Sequence, residues 1–196
     1  MAPDGAEAAL SARPLTADLW DDFEDLFGPD RGASSGCWCM WWRLTAKQFE
    51  NGSREDRKVA FRKIVGTGPA PGLLLYEDDL AIGWVAVGPR ASLPRMERSR
   101  VAKSTDGDLD GTWLVNCFFL RRGYRGKGHM SRLAGAATEH ARAAGAVRVE
   151  ACPVDPAREL QWGEGFVGIA SVFEGLGFSE VARRSPTRPL MRMELG

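Results

Sequence analysis

The chain has 196 residues, 44% hydrophobic and 27% charged, the balance of one globular domain. Its 26 basic and 26 acidic side chains cancel, which excludes binding by a global positive field, as a nucleic-acid partner would need. No apolar run approaches the roughly 20 residues that span a bilayer, and the opening MAPDGAEAALSARP lacks the apolar centre of a secretory signal. The cytoplasm is therefore the expected location.

Residues 1–10 read as a flexible tail and 11–196 as a single domain. In TADLWDDFEDLF (16–27), Leu19, Trp20, Phe23, Leu26 and Phe27 share one helical stripe, stopped by Gly28. A glycine- and serine-rich lead then runs into CWCMWW (37–42). Cys37 and Cys39 have half of a zinc spacing, but His129 and His140 lie in or near one later helix and no second ligand pair appears. The expectation is free thiols and no metal. Ser53 caps a second helix, about 54–65, with Asp56 in the capping-box position.

GLLLYE (72–77) and AIGWVAVG (81–88) are strand-like runs around Glu77-Asp78-Asp79, a hairpin. Residues 93–111 read as polar and irregular, and 113–120, WLVNCFFL, as a buried strand. LRRGYRGKGHMS follows, and then a helix with Met130, Leu133, Ala134, Ala137, Ala141 and Ala144 on one stripe, closed by Gly145. AVRVEACPV is a further strand, SVFEGLGF a short helix broken by glycines, and FSEVARR and PLMRMEL a final antiparallel pair. One strand–helix–strand crossover flanked by hairpins makes an α/β fold with a mixed sheet.

Gly123, Gly126 and Gly128 with Arg121, Arg122, Arg125 and Lys127, set before a helix, suit a phosphate: the helix N-terminus offers unpaired N–H groups and glycines allow close approach. The stretch fails the P-loop spacing at two positions, and Ser131 stands where a dinucleotide fingerprint needs its third glycine. Arg125-Gly126-Lys127-Gly128-His129-Met130 does resemble the Arg/Gln-x-x-Gly-x-Gly/Ala loop of the GNAT superfamily of acyl-CoA-dependent N-acyltransferases. Met130 departs from the small residue usual there.

The resemblance extends over about 10–195 and implies a largely antiparallel twisted sheet of about six to seven strands with four or so flanking helices. It implies acetyl-CoA as co-substrate, no metal, and Arg125, Gly126, Lys127, Gly128, His129, Met130 and Ser131 around the pyrophosphate. Main-chain groups of Phe118 and Leu120 would meet the pantetheine arm, although Phe118 and Phe119 also suit plain core packing. The family often carries a tyrosine as leaving-group acid where Phe173 stands; Ser171 and Cys152 are substitutes. Glu150, a carboxylate in an apolar strand, is the candidate catalytic base if it faces the opening, or the partner of an arginine if it does not. Asp155 is second.

The resemblance places acceptor recognition at the N-terminal helix–loop–helix, where Trp38, Trp41 and Trp42 either hold an amine or close the core. The run RMERSRVAK reads as a solvated loop or as an attractor of acidic groups. The implied partner is an amine, on a small molecule or a protein, with no nucleic acid or membrane, and the chain a monomer or homodimer. A non-catalytic acyl-CoA-binding or sensor domain is the alternative, motivated by Phe173.

Overall fold

The computed structural model describes residues 9–28, 33–107, 109–158, 160 and 164–196. Seven strands form one sheet: β1 (Leu10–Pro14), β2 (Gly72–Glu77), β3 (Leu80–Pro89), β4 (Thr112–Leu120), β5 (Arg148–Ala151), β6 (Ser179–Arg183) and β7 (Pro189–Glu194). Their order is β1-β2-β3-β4-β5-β7-β6, and β4–β5 is the parallel pair in an otherwise antiparallel ladder. Six α-helices lie among the described residues: α1 (Trp20–Phe27), α2 (Ala46–Asn51), α3 (Arg54–Thr67), α4 (Pro94–Glu97), α5 (His129–Ala143) and α6 (Ala170–Gly175).

The strand–helix–strand expectation places β4, α5 and β5 correctly, and the parallel pair follows because a helical crossover returns the chain to the same end of the sheet. Ser53 and Asp56 cap α3 reciprocally, as expected. Two elements were not anticipated. Of the stretch read as tail, residues 1–8 lie outside the described residues, whereas Leu10 already belongs to β1, held at its start by Asp78 N–H donating to Ala9 O at 2.9 Å. The helix α2 precedes α3, with its own capping box between Thr45 and Gln48.

The sheet has two buried faces. On one, Leu133, Ala134, Ala137 and Ala141 of α5 pack over Val85, Val115, Phe118 and Val149. Small alanines let the helix approach the strands closely, so one turn after another covers the crossover. On the other, α1 and α3 close an aromatic cluster in which Phe23 meets Trp84 edge-on at 4.9 Å and Phe61 at 5.2 Å. A smaller cluster of Leu93, Met96, Ala102, Leu114, Cys152 and Leu190 absorbs part of 93–111. That segment is therefore packed, with α4 and the buried Met96 and Ala102, rather than a solvated loop.

Candidate active site

β4 and β5 pair from Thr112↔Arg148 to Val115↔Ala151 and then part. Beyond Ala151 the chain carries Pro153, which has no N–H for a ladder. It is drawn instead to the α6 side, where Val154 N–H donates to Gly168 O at 2.9 Å and Ala170 N–H to Val154 O at 2.8 Å. β4 continues alone beside β3. Its register slips between Ala86↔Cys117 and Val87↔Val115, leaving Asn116 as a bulge residue where the two strands separate. Arg121 N–H donates to Ile82 O at 3.0 Å. By alternation along the strand, the main-chain groups of Leu120 and Phe118 turn to the open edge.

A cavity of about 800 Å³ fills this opening. Of the nine residues that the sequence assigned to cofactor binding, Phe118, Leu120, Arg125, Gly126, Gly128, His129, Met130 and Ser131 line it; Lys127 does not, its Nζ lying 5.2 Å from the Tyr124 ring centre. Gly126 (φ 75°) and Gly128 (φ 78°) are left-handed, and a Cβ at either would project into open space. They bend the backbone so that the first turn of α5 faces the cavity with its unpaired N–H groups. His129 is buried, and both of its ring nitrogens lack a partner among the described residues. Arg125 folds back, its Nε donating to Leu120 O at 3.0 Å. An open glycine cradle, a helix N-terminus and an unpaired buried imidazole fit the phosphates and amides of an acyl-CoA. The far wall, including Pro156, Arg158, Phe166 and Ile169, had no sequence signal, because it is built from loop positions brought in by the turn after β5.

A second cavity, of about 280 Å³, lies on the other side of β4. Phe118 and Phe166 line both cavities. The CWCMWW segment divides as its two readings allowed. Trp38 is buried, stacked at 6.0 Å on Phe27, while Trp41 and Trp42 line the cavity. Trp42 Nε1–H donates to Asn116 O at 3.1 Å, tying the loop to the bulge. Non-glycine residues Ala33, Ser35, Trp38 and Cys39 all have φ between 45° and 61°. Such backbone costs about 1–3 kcal/mol per residue, so packing must hold it. Arg57 does so from α3: its guanidinium donates to Gly36 O (2.7 Å), Phe49 O (2.9 Å) and Gly52 O (2.8 Å) and stacks on the Phe49 ring at 4.4 Å.

All four cysteines are free thiols. Cys39 Sγ accepts from the Cys117 thiol and from Trp84 Nε1–H at 3.1 Å, and these donors hold its pKa below the ordinary thiol value against the opposing effect of burial. Burial, with the neighbouring Cys39, pushes Cys37 up to about 12. Among the described residues no group of three His, Cys, Asp or Glu is arranged to hold a metal ion.

The proton-transfer candidates lie elsewhere. Glu150 is completely buried on the β5 face opposite α5, in ion pairs with Arg90 and Arg192, the latter at 2.7 Å. Both of its oxygens accept from guanidinium groups and it lines neither cavity. Asp155 pairs with Arg183 at 2.8 Å. Cys152 is buried in the small cluster with Leu93 and Leu190, its pKa raised by burial. Ser171 is exposed on α6. Phe173 is wholly buried, edge-on to Phe118 at 6.2 Å and to Phe178 at 5.2 Å. Tyr76 is committed to Asp22, its hydroxyl donating to Oδ2 at 2.6 Å.

A family profile described as the acetyltransferase (GNAT) family matches residues 38–160. No curated protein is detectably similar in sequence. Several solved structures share the fold. The chain is 15% identical to yncA of Salmonella typhimurium, solved with its cofactor acetyl-CoA, covering 96% of this chain and 95% of that one with a TM-score of 0.53. It is 12% identical to the PaiA N-acetyltransferase of Thermoplasma acidophilum, solved with coenzyme A, over 95% and 99% at 0.52. A GCN5-related N-acetyltransferase of Kribbella flavida is 13% identical over 95% and 98% at 0.55. At these identities the likeness is one of fold.

Proposed function

Because the chain belongs to the acetyltransferase (GNAT) family, we propose that it moves an acetyl group from acetyl-CoA to a primary amine, of a small molecule or a protein, by direct attack in a ternary complex. The observation that carries this reading is the shared wall: two cavities on opposite sides of β4 meet at Phe118 and Phe166, beside the Asn116 bulge. A thioester reaching in from the α5 side and an amine from the aromatic side would come together there.

In the reaction the amine nitrogen bonds to the thioester carbonyl carbon, the carbon–sulfur bond breaks, and the thiolate takes up the proton that the amine loses. The glycine loop and α5 N-terminus would hold the pyrophosphate. Main-chain groups of Phe118 and Leu120 would align the pantetheine arm and the thioester oxygen. The apolar cavity disfavours an ammonium relative to the neutral amine, which is the nucleophile. Glu150 has no part in this scheme; its carboxylate is committed to two arginines. Solvent at the cavity mouth relays that proton from the amine to the thiolate. Four free thiols suit a reducing compartment, and we place the activity in the cytoplasm. No helix among the described residues is long and apolar enough to cross a membrane.

The alternative, an acyl-CoA sensor, draws on Phe173, which cannot protonate a leaving thiolate. Release of free coenzyme A thiol, followed with acetyl-CoA and a panel of amines, decides between them. Amine-dependent release supports transfer. Calorimetric binding of coenzyme A with no amine-dependent release supports the sensor.

A further inference from the structure

The smaller cavity constrains its occupant. At about 280 Å³ it sits at the lower end of ligand-site volumes. Half of the described lining residues are aromatic, Trp41, Trp42, Phe49 and Phe119 among them, and no Asp, Glu, Lys or Arg appears among them. The cations nearby sit behind the wall: Arg95 lies 3.9 Å from the Trp41 ring centre and Arg57 4.4 Å from that of Phe49. Neither guanidinium is among the described lining residues; each is engaged with a ring of the wall. A second ammonium inside would find no carboxylate among the described lining residues, and a carboxylate inside would find no guanidinium among them. Either would be a buried unpaired charge.

One polar group in the wall is unspent. Asn116 is buried, and its Oδ1 has no partner among the described residues. It stands on the bulge where β4 leaves β5, the place at which the proposed thioester would end. A buried carbonyl oxygen without a donor is costly, and an amine N–H would satisfy it.

We infer that this cavity takes a primary monoamine bearing one aromatic ring on a short alkyl chain, the ring among Trp41, Trp42 and Phe49 and the nitrogen donating to Asn116 Oδ1. The inference rests on the amine-transfer reading for its consequence in catalysis, but the binding itself does not. Its arms are 2-phenylethylamine, hexylamine, 1,4-diaminobutane, phenylalanine and a lysine-containing peptide, each assayed with acetyl-CoA for thiol release. The expected kcat/KM for 2-phenylethylamine exceeds that for the diamine, the amino acid and the peptide by at least about tenfold, the scale on which a pocket rejects an ill-matched group. Hexylamine falls between. A diamine, amino acid or peptide used as well as 2-phenylethylamine overturns the inference and leaves the transfer reading intact.

Calorimetry with 2-phenylethylamine and no acetyl-CoA supplies the separate readout. Binding is expected, and it should weaken at least about fivefold in Trp41→Ala, whose side chain is half-exposed, and in Asn116→Leu. Melting temperatures of both variants show that they fold. Binding with this variant pattern but no turnover of any amine would sustain the pocket and defeat the transfer reading. Absence of binding, or binding unchanged in both folded variants, defeats the inference.

Discussion

Arg90 and Glu150 meet between the end of β3 and the middle of β5, with neither side chain exposed to solvent. Arg90 also donates to Glu97 Oε1 at 2.6 Å and to Ala102 O, so one guanidinium joins β5 to the 93–111 segment. Removing one member of such a pair leaves an uncompensated buried charge, which costs about 3 kcal/mol or more. Glu150→Gln is therefore expected to lower the melting temperature markedly. The kcat of the folded variant, measured below its melting point, should stay within about threefold of wild type. Loss of a general base would lower it by about 10²–10⁴-fold, and a drop of that size would restore Glu150 to the mechanism.

Gly128 supplies a different separation. Its φ of 78° is a conformation that a β-branched residue resists, by roughly 1–2 kcal/mol. The space around it is open, so the fold has no steric objection to a side chain. Gly128→Val should therefore leave the protein folded while tilting the first turn of α5. The KM for acetyl-CoA is expected to rise about tenfold or more, equivalent to that strain, with the KM for the amine nearly unchanged. Steady-state kinetics with each substrate varied in turn reads both numbers.

Arg57 is predicted to act on the opposite substrate. Arg57→Met keeps the length and loses three hydrogen bonds to the carbonyls of Gly36, Phe49 and Gly52. Orphaned carbonyls cost about 1–3 kcal/mol each when they stay buried, so the left-handed loop of Trp38 and Cys39 should relax. The KM for the amine rises and that for acetyl-CoA does not. A rise in both would mean that the loop supports the larger cavity as well.

The β4–loop–α5 unit was legible because its signals are local: a continuous apolar run, then glycines, then an apolar stripe. Ser53 and Asp56 were legible for the same reason, being three residues apart. The fate of Glu150 was not, since its partner Arg90 is 60 residues away and an acid in an apolar strand fits a base and an ion pair equally well. β1 was missed because LSARP offers little alternation; its strand character comes from pairing with Leu73–Glu77. The tryptophans divided by turn geometry, the positive φ of Trp38 and Cys39 sending Trp38 inward, which no composition rule encodes.

Acid should weaken the α1–α3 contact. Glu24 is held below its ordinary value of 4.5, chiefly by the hydrogen bond from Lys58, with Trp20 Nε1–H adding a second at 2.9 Å. A carboxylate with a lowered folded pKa stabilises the protein at pH above 4.5, and the contribution is lost as pH falls through the lower folded value. The difference in melting temperature between wild type and Glu24→Gln is thus expected to be present at pH 6 and to shrink as pH falls below 4.5 and through the lower folded value. A difference that persists at low pH would assign the contact to packing instead of charge.

The parting of β4 from β5 after Val115 gives one strand two kinds of surroundings. Its first half is interior to the sheet, laddered on both sides, and its second half is an edge in mid-protein. Amide hydrogens of Phe118 and Leu120 should exchange with deuterated solvent well before that of Val115, although the Phe118 side chain is itself buried. The sheet thus carries its own unfinished seam, and any arm of amides laid along it would close the seam as an added strand does.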